Sequence, residues 1–234
     1  VNAWGFGPEK PSSPDSATVQ SLLNLVGFDK IHIEKDRVCK ELPEMKIDFS
    51  AIAQGYAVDK VKELLITKGK DSFLIEISGE IFCKGVKTDG ESWRTAIEDP
   101  SVKPYEQRFL AVIPLQDRAL ATSGNYRNYF VDENGKKYVH TINPRSGYPA
   151  MHELLSATVF ADNCTKADAL ATAFMVVGVD KAKAILEKDT TLDAFLIYSG
   201  EHGELETYAS SGIKSAIEIL PAEDQQENNV QISK

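Results

Sequence analysis

No Lys/Arg cluster interrupts this sequence, and only three cysteines (Cys39, Cys83 and Cys164) stand among its 234 residues. No run approaches the roughly 20 apolar residues that span a bilayer. Without concentrated positive charge the chain lacks the electrostatic footprint of a nucleic-acid binder. Its net charge of −9 implies that any polyanion it takes must be neutralised locally, by a metal ion or by backbone amides. The cysteines are odd in number and far apart. They offer neither zinc-ligand spacing nor a disulfide framework, so buried free thiols are expected. No basic, apolar, small-residue start marks a signal peptide. The chain opens at Val1 inside structured-looking sequence, as a mature form, a domain or a fragment would.

What is present reads as an ordinary folded chain, 42% hydrophobic and 26% charged. After a Gly/Pro/Ser-rich loop at 5–14, Asp15 or Ser16 caps a helix with Val19, Leu22, Leu23 and Val26 on one face, stopped at Gly27. Ile31–Ile33 and Val38 alternate like short strands. A second helix is predicted from Ala53 to Lys68, with Val58, Val61, Leu64 and Leu65 inward. Strands follow at Ser72–Ser78, Ile81–Lys84, Trp93–Glu98, Arg108–Pro114, Arg118–Thr122, Tyr138–Ile142 and Leu154–Phe160. Helices from Thr165 to before Gly178 and from Asp180 to Lys188 precede strands at Leu192–Tyr198, Glu204–Tyr208 and Lys214–Ile219. Strands in antiparallel-looking clusters with helices between them predict an α+β fold. From Pro221 onward the chain reads as a polar tail.

The third helix carries the first candidate chemistry. Asp168 and Thr172 lie four positions apart, on one face and about one turn from each other. A carboxylate and a hydroxyl so spaced offer two hard oxygen ligands, which suits Mg²⁺. The same residues also fit a capping box, with Asp168 folding back from Thr165-Lys166-Ala167-Asp168 onto an exposed amide. His140 ends an alternating run, on the face of Tyr138 and Ile142, before the turn-rich segment Asn143–Pro149. A general base or a structural histidine fits that place. Ser78-Gly79-Glu80 and Thr122-Ser123-Gly124 are small-residue loops that could approach a ligand by their amides, or plain hairpin turns. Asp48–Asp59 runs into the second helix, where amides favour an anion.

Four segments in order, Asp48–Asp59, Glu76–Phe82, Ala121–Phe130 with His140–Pro149, and Thr165–Gly178, together resemble the ApbE family of FAD:protein FMN transferases. Trp4-Gly5-Phe6-Gly7 is similar to the family's loop leading into the middle of the domain. The resemblance runs from the first residues to about Ser215, giving a single domain over 1–220 with the tail at 221–234. It implies a T-fold-like α+β architecture with internally duplicated halves. It implies Mg²⁺ held by Asp168, Thr172 and the Ala51 carbonyl, and His140 as the base. FAD, the donor substrate, would be lined by Ala51, Ser78, Gly79, Glu80, Thr122, Ser123, Gly124, His140 and Ile142. The chain departs from the family at Gln54, where a lysine is frequent, and at Ser78-Gly79-Glu80, where Gly-Gly-Asp is frequent. The family's segment before the Trp-Gly-Phe-Gly loop is not in this chain.

By that resemblance the chain would move FMN from FAD to a Thr or Ser hydroxyl of an acceptor protein, a respiratory flavoprotein subunit, and release AMP. An extracytoplasmic location, with an N-terminal lipid anchor as the only membrane attachment, is also implied. Nucleic acid is not an expected partner. Two other readings share these residues: an FAD pyrophosphatase, in which water replaces the hydroxyl, and a flavin-binding protein without turnover.

Overall fold

The computed structural model of the chain describes residues 1–7, 13–102, 108–126, 129–131, 135 and 137–221. The predicted tail beyond Pro221 lies outside the described residues, as do positions 8–12 of the first loop. In chain order the first elements are α1 (Ser16–Leu23), β1 (Ile31–Glu34), β2 (Arg37–Lys40) and α2 (Ala53–Thr67). Then come β3 (Phe73–Ile77), β4 (Glu80–Lys84), β5 (Trp93–Glu98), β6 (Phe109–Leu115) and β7 (Arg118–Gly124). The remainder are β8 (Tyr129–Val131), β9 (Lys137–Val139), β10 (Leu154–Ala161), α3 (Cys164–Val177), α4 (Val179–Leu186), β11 (Asp193–Ser199), β12 (Leu205–Ala209) and β13 (Glu218–Ile219). The predicted α+β class holds. The chain divides into two compact units, Val1–Phe49 with Asn128–His152, and Ser50–Arg127 with Glu153–Lys234.

The larger unit is built on a six-stranded antiparallel sheet in the order β12-β11-β10-β7-β4-β3. Period-two alternation sends its side chains to two cores. Ala119, Ala121, Val159, Ala194, Leu196 and Phe82 join α2, α3 and α4 in one core. Their chain neighbours Leu120, Phe160, Phe195 and Cys83 join Ile97, Ala111 and Ile113 in the other, beneath a three-stranded sheet of order β13-β6-β5. Helix α3 buries Cys164, Ala167, Asp168, Ala171, Phe174 and Met175, a helical stripe whose alanines let it sit close to the sheet.

The smaller unit keeps its own aromatic cluster. Trp4, Val19 and Tyr138 are buried there, with Phe6, Leu23, Phe130 and Ile142 against them. Trp4 stacks on Tyr138 at 5.6 Å and donates its indole N–H to the Gly147 carbonyl at 2.8 Å. Asp15 caps α1 through the Thr18 amide, as predicted.

Several expectations need correction. Helix α1 ends at Leu23, and Leu22 and Val26 are exposed. On α2, Val58 is buried and Leu65 packs on the core, but Val61 and Leu64 face outward, because the small residues of α2 meet α3 instead. Of the Lys214–Ile219 stretch only Glu218 and Ile219 pair, and they extend β6 rather than the main sheet. Cys83 and Cys164 are buried thiols, whereas Cys39 is partly exposed.

These burials give an opposed pair of mutational outcomes. Phe174→Ala, at a side chain fully enclosed in the helix-side core, is expected to cost about 3–5 kcal/mol. Leu64→Ala, at a side chain 56% exposed, should stay within about 0.5 kcal/mol. Urea unfolding measures both, and a large loss for Leu64→Ala would overturn the assigned faces of α2.

Candidate functional site

A helix start leaves its first amides without partners inside the helix, and in the larger unit two helices supply each other's. Asp59, on α2, accepts from the Cys164 N–H and the Thr165 N–H at 2.9 Å each and from the Thr165 hydroxyl at 2.6 Å. Asp168, on α3, accepts from the Gly55 N–H at 3.0 Å. The two helices must therefore approach closely. A Cβ on Gly55 would run into the Cys164 carbonyl and lie 2.9 Å from the Asp168 Cβ, so only glycine fits there. The capping-box alternative for Asp168 fails on the same contacts. Asn163 is the N-cap of α3, accepting from the Lys166 N–H, and Asp168 is bonded to the neighbouring helix.

Asp168 Oδ2 is thereby fixed, while Oδ1 takes no hydrogen bond among the described residues. One turn along, the Thr172 hydroxyl is 3.1 Å from the Ser123 hydroxyl of β7. Ser123 points to the helix side because it follows Ala121 by two positions, and Ala121 belongs to the helix-side core. Glu80, at the start of β4, shares the side of Phe82 and is only 8% exposed. Its Oε2 is buried without a hydrogen-bond partner. Burial, and secondarily the neighbouring Asp168 charge, push the Glu80 carboxyl up to about 7. Burial also raises Asp168, against the lowering effect of the Gly55 N–H. Asp168, Thr172, Ser123 and Glu80 thus form one cluster of oxygen donors on the helix side of the sheet.

The other predicted residues fall as follows. Ala51 lies in the turn leading into α2, just before the N-cap Ile52. Ser78 and Gly79 form the two-residue turn joining β3 to β4, with φ of 56° and 101°. Both values are positive, so this is the primed turn that suits a right-twisted hairpin. The Thr122 hydroxyl points to the opposite side of the sheet and pairs with Thr158 at 2.9 Å; it does not join Asp168. Tyr126 covers Gly124, where a Cβ would meet its ring. In the smaller unit, His140 follows the end of β9, half-buried, with its ring edge-on to Phe6 at 6.2 Å. Ile142 packs in the aromatic cluster and bridges Pro149. The turn between them is held by the Gly147 N–H on the Asn143 carbonyl at 2.8 Å and the Ala150 N–H on the Thr141 carbonyl at 2.8 Å.

Asp59 and Gly55 were not singled out from sequence, although both stand in the Asp48–Asp59 segment. Their role needs the neighbouring helix to be seen. Ser123 was named for its amide, whereas its hydroxyl is what reaches α3; strand alternation alone would have put it beside Ala121.

The fold and this cluster define an α+β protein with a group of oxygen donors gathered at a helix–helix–sheet junction. The chain belongs to the ApbE family, whose sequence profile matches residues 1–196. It is 41% identical over 224 residues to the FAD:protein FMN transferase of Haemophilus influenzae, covering 93% of this chain and 64% of that relative. It is 40% identical to the FAD:protein FMN transferase of Vibrio cholerae, covering 92% of this chain and 63% of that relative. Among solved structures, flavin transferase ApbE from Vibrio cholerae superposes with a TM-score of 0.80 at 35% identity, over 92% of this chain and 67% of that one. The ApbE protein of Thermotoga maritima gives 0.77 at 29% identity, over 92% of this chain and 68% of that one. The chain thus spans just under two thirds of the length of these curated relatives.

Two outcomes test the cluster. Gly55→Ala should cost about 1–3 kcal/mol by forcing α2 from α3; a stability equal to the parent would refute the close approach. For Glu80, the folded protein keeps a proton that the unfolded chain gives up near 4.5, and releases it near 7. Stability should therefore fall as pH rises across that window, by up to about 3 kcal/mol, and level off above it. Asp168, also raised, adds a fall of the same sign. In metal-free buffer, Glu80→Gln should remove most of the difference in urea stability between about pH 5 and about pH 8. An unchanged slope in that variant would count against the buried, unpaired carboxyl.

Proposed function

We propose that this chain carries the core of a Mg²⁺-dependent enzyme that moves FMN from FAD onto a Thr or Ser hydroxyl of another protein. The observation that carries this reading is the Asp168–Thr172 pair. It is braced at one end by the Gly55 amide and at the other by Ser123, beside Glu80, whose Oε2 is buried without a hydrogen-bond partner. Membership of a family whose named relatives are FAD:protein FMN transferases supports the substrate and the reaction.

The donor set fits Mg²⁺: every group is a hard oxygen, and two carboxyls lie where burial disfavours their charge unless a cation balances it. Asp168 and Thr172 would hold the ion, with the Ala51 carbonyl assigned by the family resemblance. Bound there, Mg²⁺ would offset negative charge on the FAD pyrophosphate and the departing AMP. Ser123 keeps the Thr172 hydroxyl in one orientation, and the Gly55 amide keeps Asp168 from turning. His140 is assigned as general base by the same resemblance. It accepts the proton of the acceptor hydroxyl as that oxygen bonds to the FMN phosphorus. The phosphorus–oxygen bond to AMP breaks, and AMP leaves with the electron pair. The product is a phosphoester between FMN and the acceptor side chain. The acceptor class, a respiratory flavoprotein subunit, and an extracytoplasmic site of action belong to the same reading.

The test mixes the chain with FAD, Mg²⁺ and a candidate acceptor, then weighs the acceptor by mass spectrometry for one added FMN on Thr or Ser. Asp168→Asn should lower transfer at least about a hundredfold and abolish the response to Mg²⁺. His140→Ala should slow transfer by about 10²–10⁴ with a much smaller effect on the FAD dissociation constant. Full Mg²⁺-dependent activity in Asp168→Asn would sink the metal assignment. AMP and free FMN, formed equally with or without acceptor, would replace the transferase by a pyrophosphatase.

A further inference from the structure

A set of groups able to ligate a metal stands in the smaller unit, sharing no residue with the Asp168 cluster. His32, Glu34 and Cys39 lie on the β1–β2 hairpin, with their donor atoms all within 4.8 Å of one another. The hairpin register produces this. His32 opposes Cys39 across the ladder, and His32 and Glu34, two positions apart on one strand, share a face. The His32 Nε2 and Glu34 Oε1 atoms are 3.6 Å apart. In register Glu34 faces Arg37, yet its carboxylate pairs with His32, and no ion pair joins it to Arg37 among the described residues. The Cys39 thiol makes only a long hydrogen bond, 4.0 Å to the Arg37 carbonyl.

We propose that this hairpin is a separate metal site, which takes a borderline-soft divalent ion of the zinc class. Its ligands are an imidazole nitrogen of His32, a carboxylate oxygen of Glu34 and the Cys39 thiolate, with water in the fourth position. A tetrahedral ion bonded at about 2.0–2.3 Å spaces its ligands about 3.3–3.7 Å apart. The His32–Glu34 pair already has that spacing, and the thiol reaches it by a side-chain rotation of about 1 Å. Nitrogen, sulfur and a single carboxylate select zinc-like ions over Mg²⁺, which prefers oxygen alone. On binding, the sulfur–hydrogen bond of Cys39 breaks heterolytically, the proton passes to solvent and the sulfur lone pair bonds the ion. The ion would also cross-link two strands whose other face is largely bare, with Ile33 76% and Val38 58% exposed. A two-stranded hairpin without a covering layer is marginal by itself.

Cobalt(II) titrated into the reduced full chain, in excess Mg²⁺, tests this. The expected result is one equivalent bound with a thiolate-to-cobalt charge-transfer band and the strong visible bands of four-coordination, both bleached by Zn²⁺. Cys83 and Cys164 are enclosed in the cores, and burial pushes Cys83 up to about 12 and Cys164 higher, so a thiolate band reports Cys39. Cys39→Ser should abolish the band, and His32→Ala and Glu34→Gln should each weaken binding at least about tenfold. Cys83→Ala and Asp168→Asn should leave the band unchanged, which separates this site from the proposed flavin chemistry. Absence of the band, its survival in Cys39→Ser, or parental affinity in both His32→Ala and Glu34→Gln would overturn the proposal.

Discussion

Everything about the candidate site follows from the way α2 and α3 end each other's backbone accounts. Each helix starts with amides that nothing within it can satisfy, and each is met by an aspartate from the other: Asp59 for α3, Asp168 for α2. A carboxylate at a helix N-terminus also meets the positive end of the helix dipole. The exchange requires the backbones to pass close together, which Gly55 and the alanines of α3 permit. Asp168 therefore has one oxygen committed to structure and one left over, held in place by the same bond. A catalytic or ligating carboxylate needs that combination of immobility and spare valence.

The arrangement has an energetic cost. Glu80 and Asp168 both sit where burial raises their carboxyls above the ordinary range, and the Asp168 charge raises Glu80 further. A fold selected only for stability would fill this volume with apolar side chains. Groups poised against their own ionisation mark places where a ligand supplies the missing charge. In a chain of net charge −9, a cation at this point would also remove the obstacle to a pyrophosphate. On the function proposed above, the acidic balance and the buried carboxyls would answer to one requirement, a positive ion brought from outside.

Most elements of the larger unit were legible from period alone. Strands such as Trp93–Glu98 coincide with prediction to the residue, because alternation between two cores leaves a clean signal in both faces. The third helix was legible through its small residues and its stop at Gly178. What stayed hidden is what depends on a neighbour. Val61 and Leu64 read as core because they are apolar at helical spacing, but α2 turns its small residues inward to meet α3. Asp168 taken alone read first as a local cap, since a carboxylate three positions after Thr165 satisfies that rule; only its bond to the Gly55 amide rules the cap out. Thr122 and Ser123 were grouped as one loop, whereas the sheet sends their hydroxyls to opposite sides.

The Ser78-Gly79-Glu80 segment shows how a departure from a family pattern can be understood physically. Both turn positions adopt positive φ, which glycine takes freely and serine only against a steric cost of about 1 kcal/mol. A Gly-Gly turn would avoid that cost, so the hairpin itself gives no reason for serine at 78. The third position is different. Glu80 leads β4 with its side chain under the helices, and a glutamate carries its carboxyl one methylene farther than an aspartate would. The Glu80 Oε2 is buried without a hydrogen-bond partner, near enough to Asp168 for that charge to disfavour its own. Glu80 thus keeps an acidic group at a place where burial penalises its charge. A cation bound as proposed would relieve that penalty, so stability and cation binding should be coupled through Glu80, and less tightly in a Glu80→Asp variant.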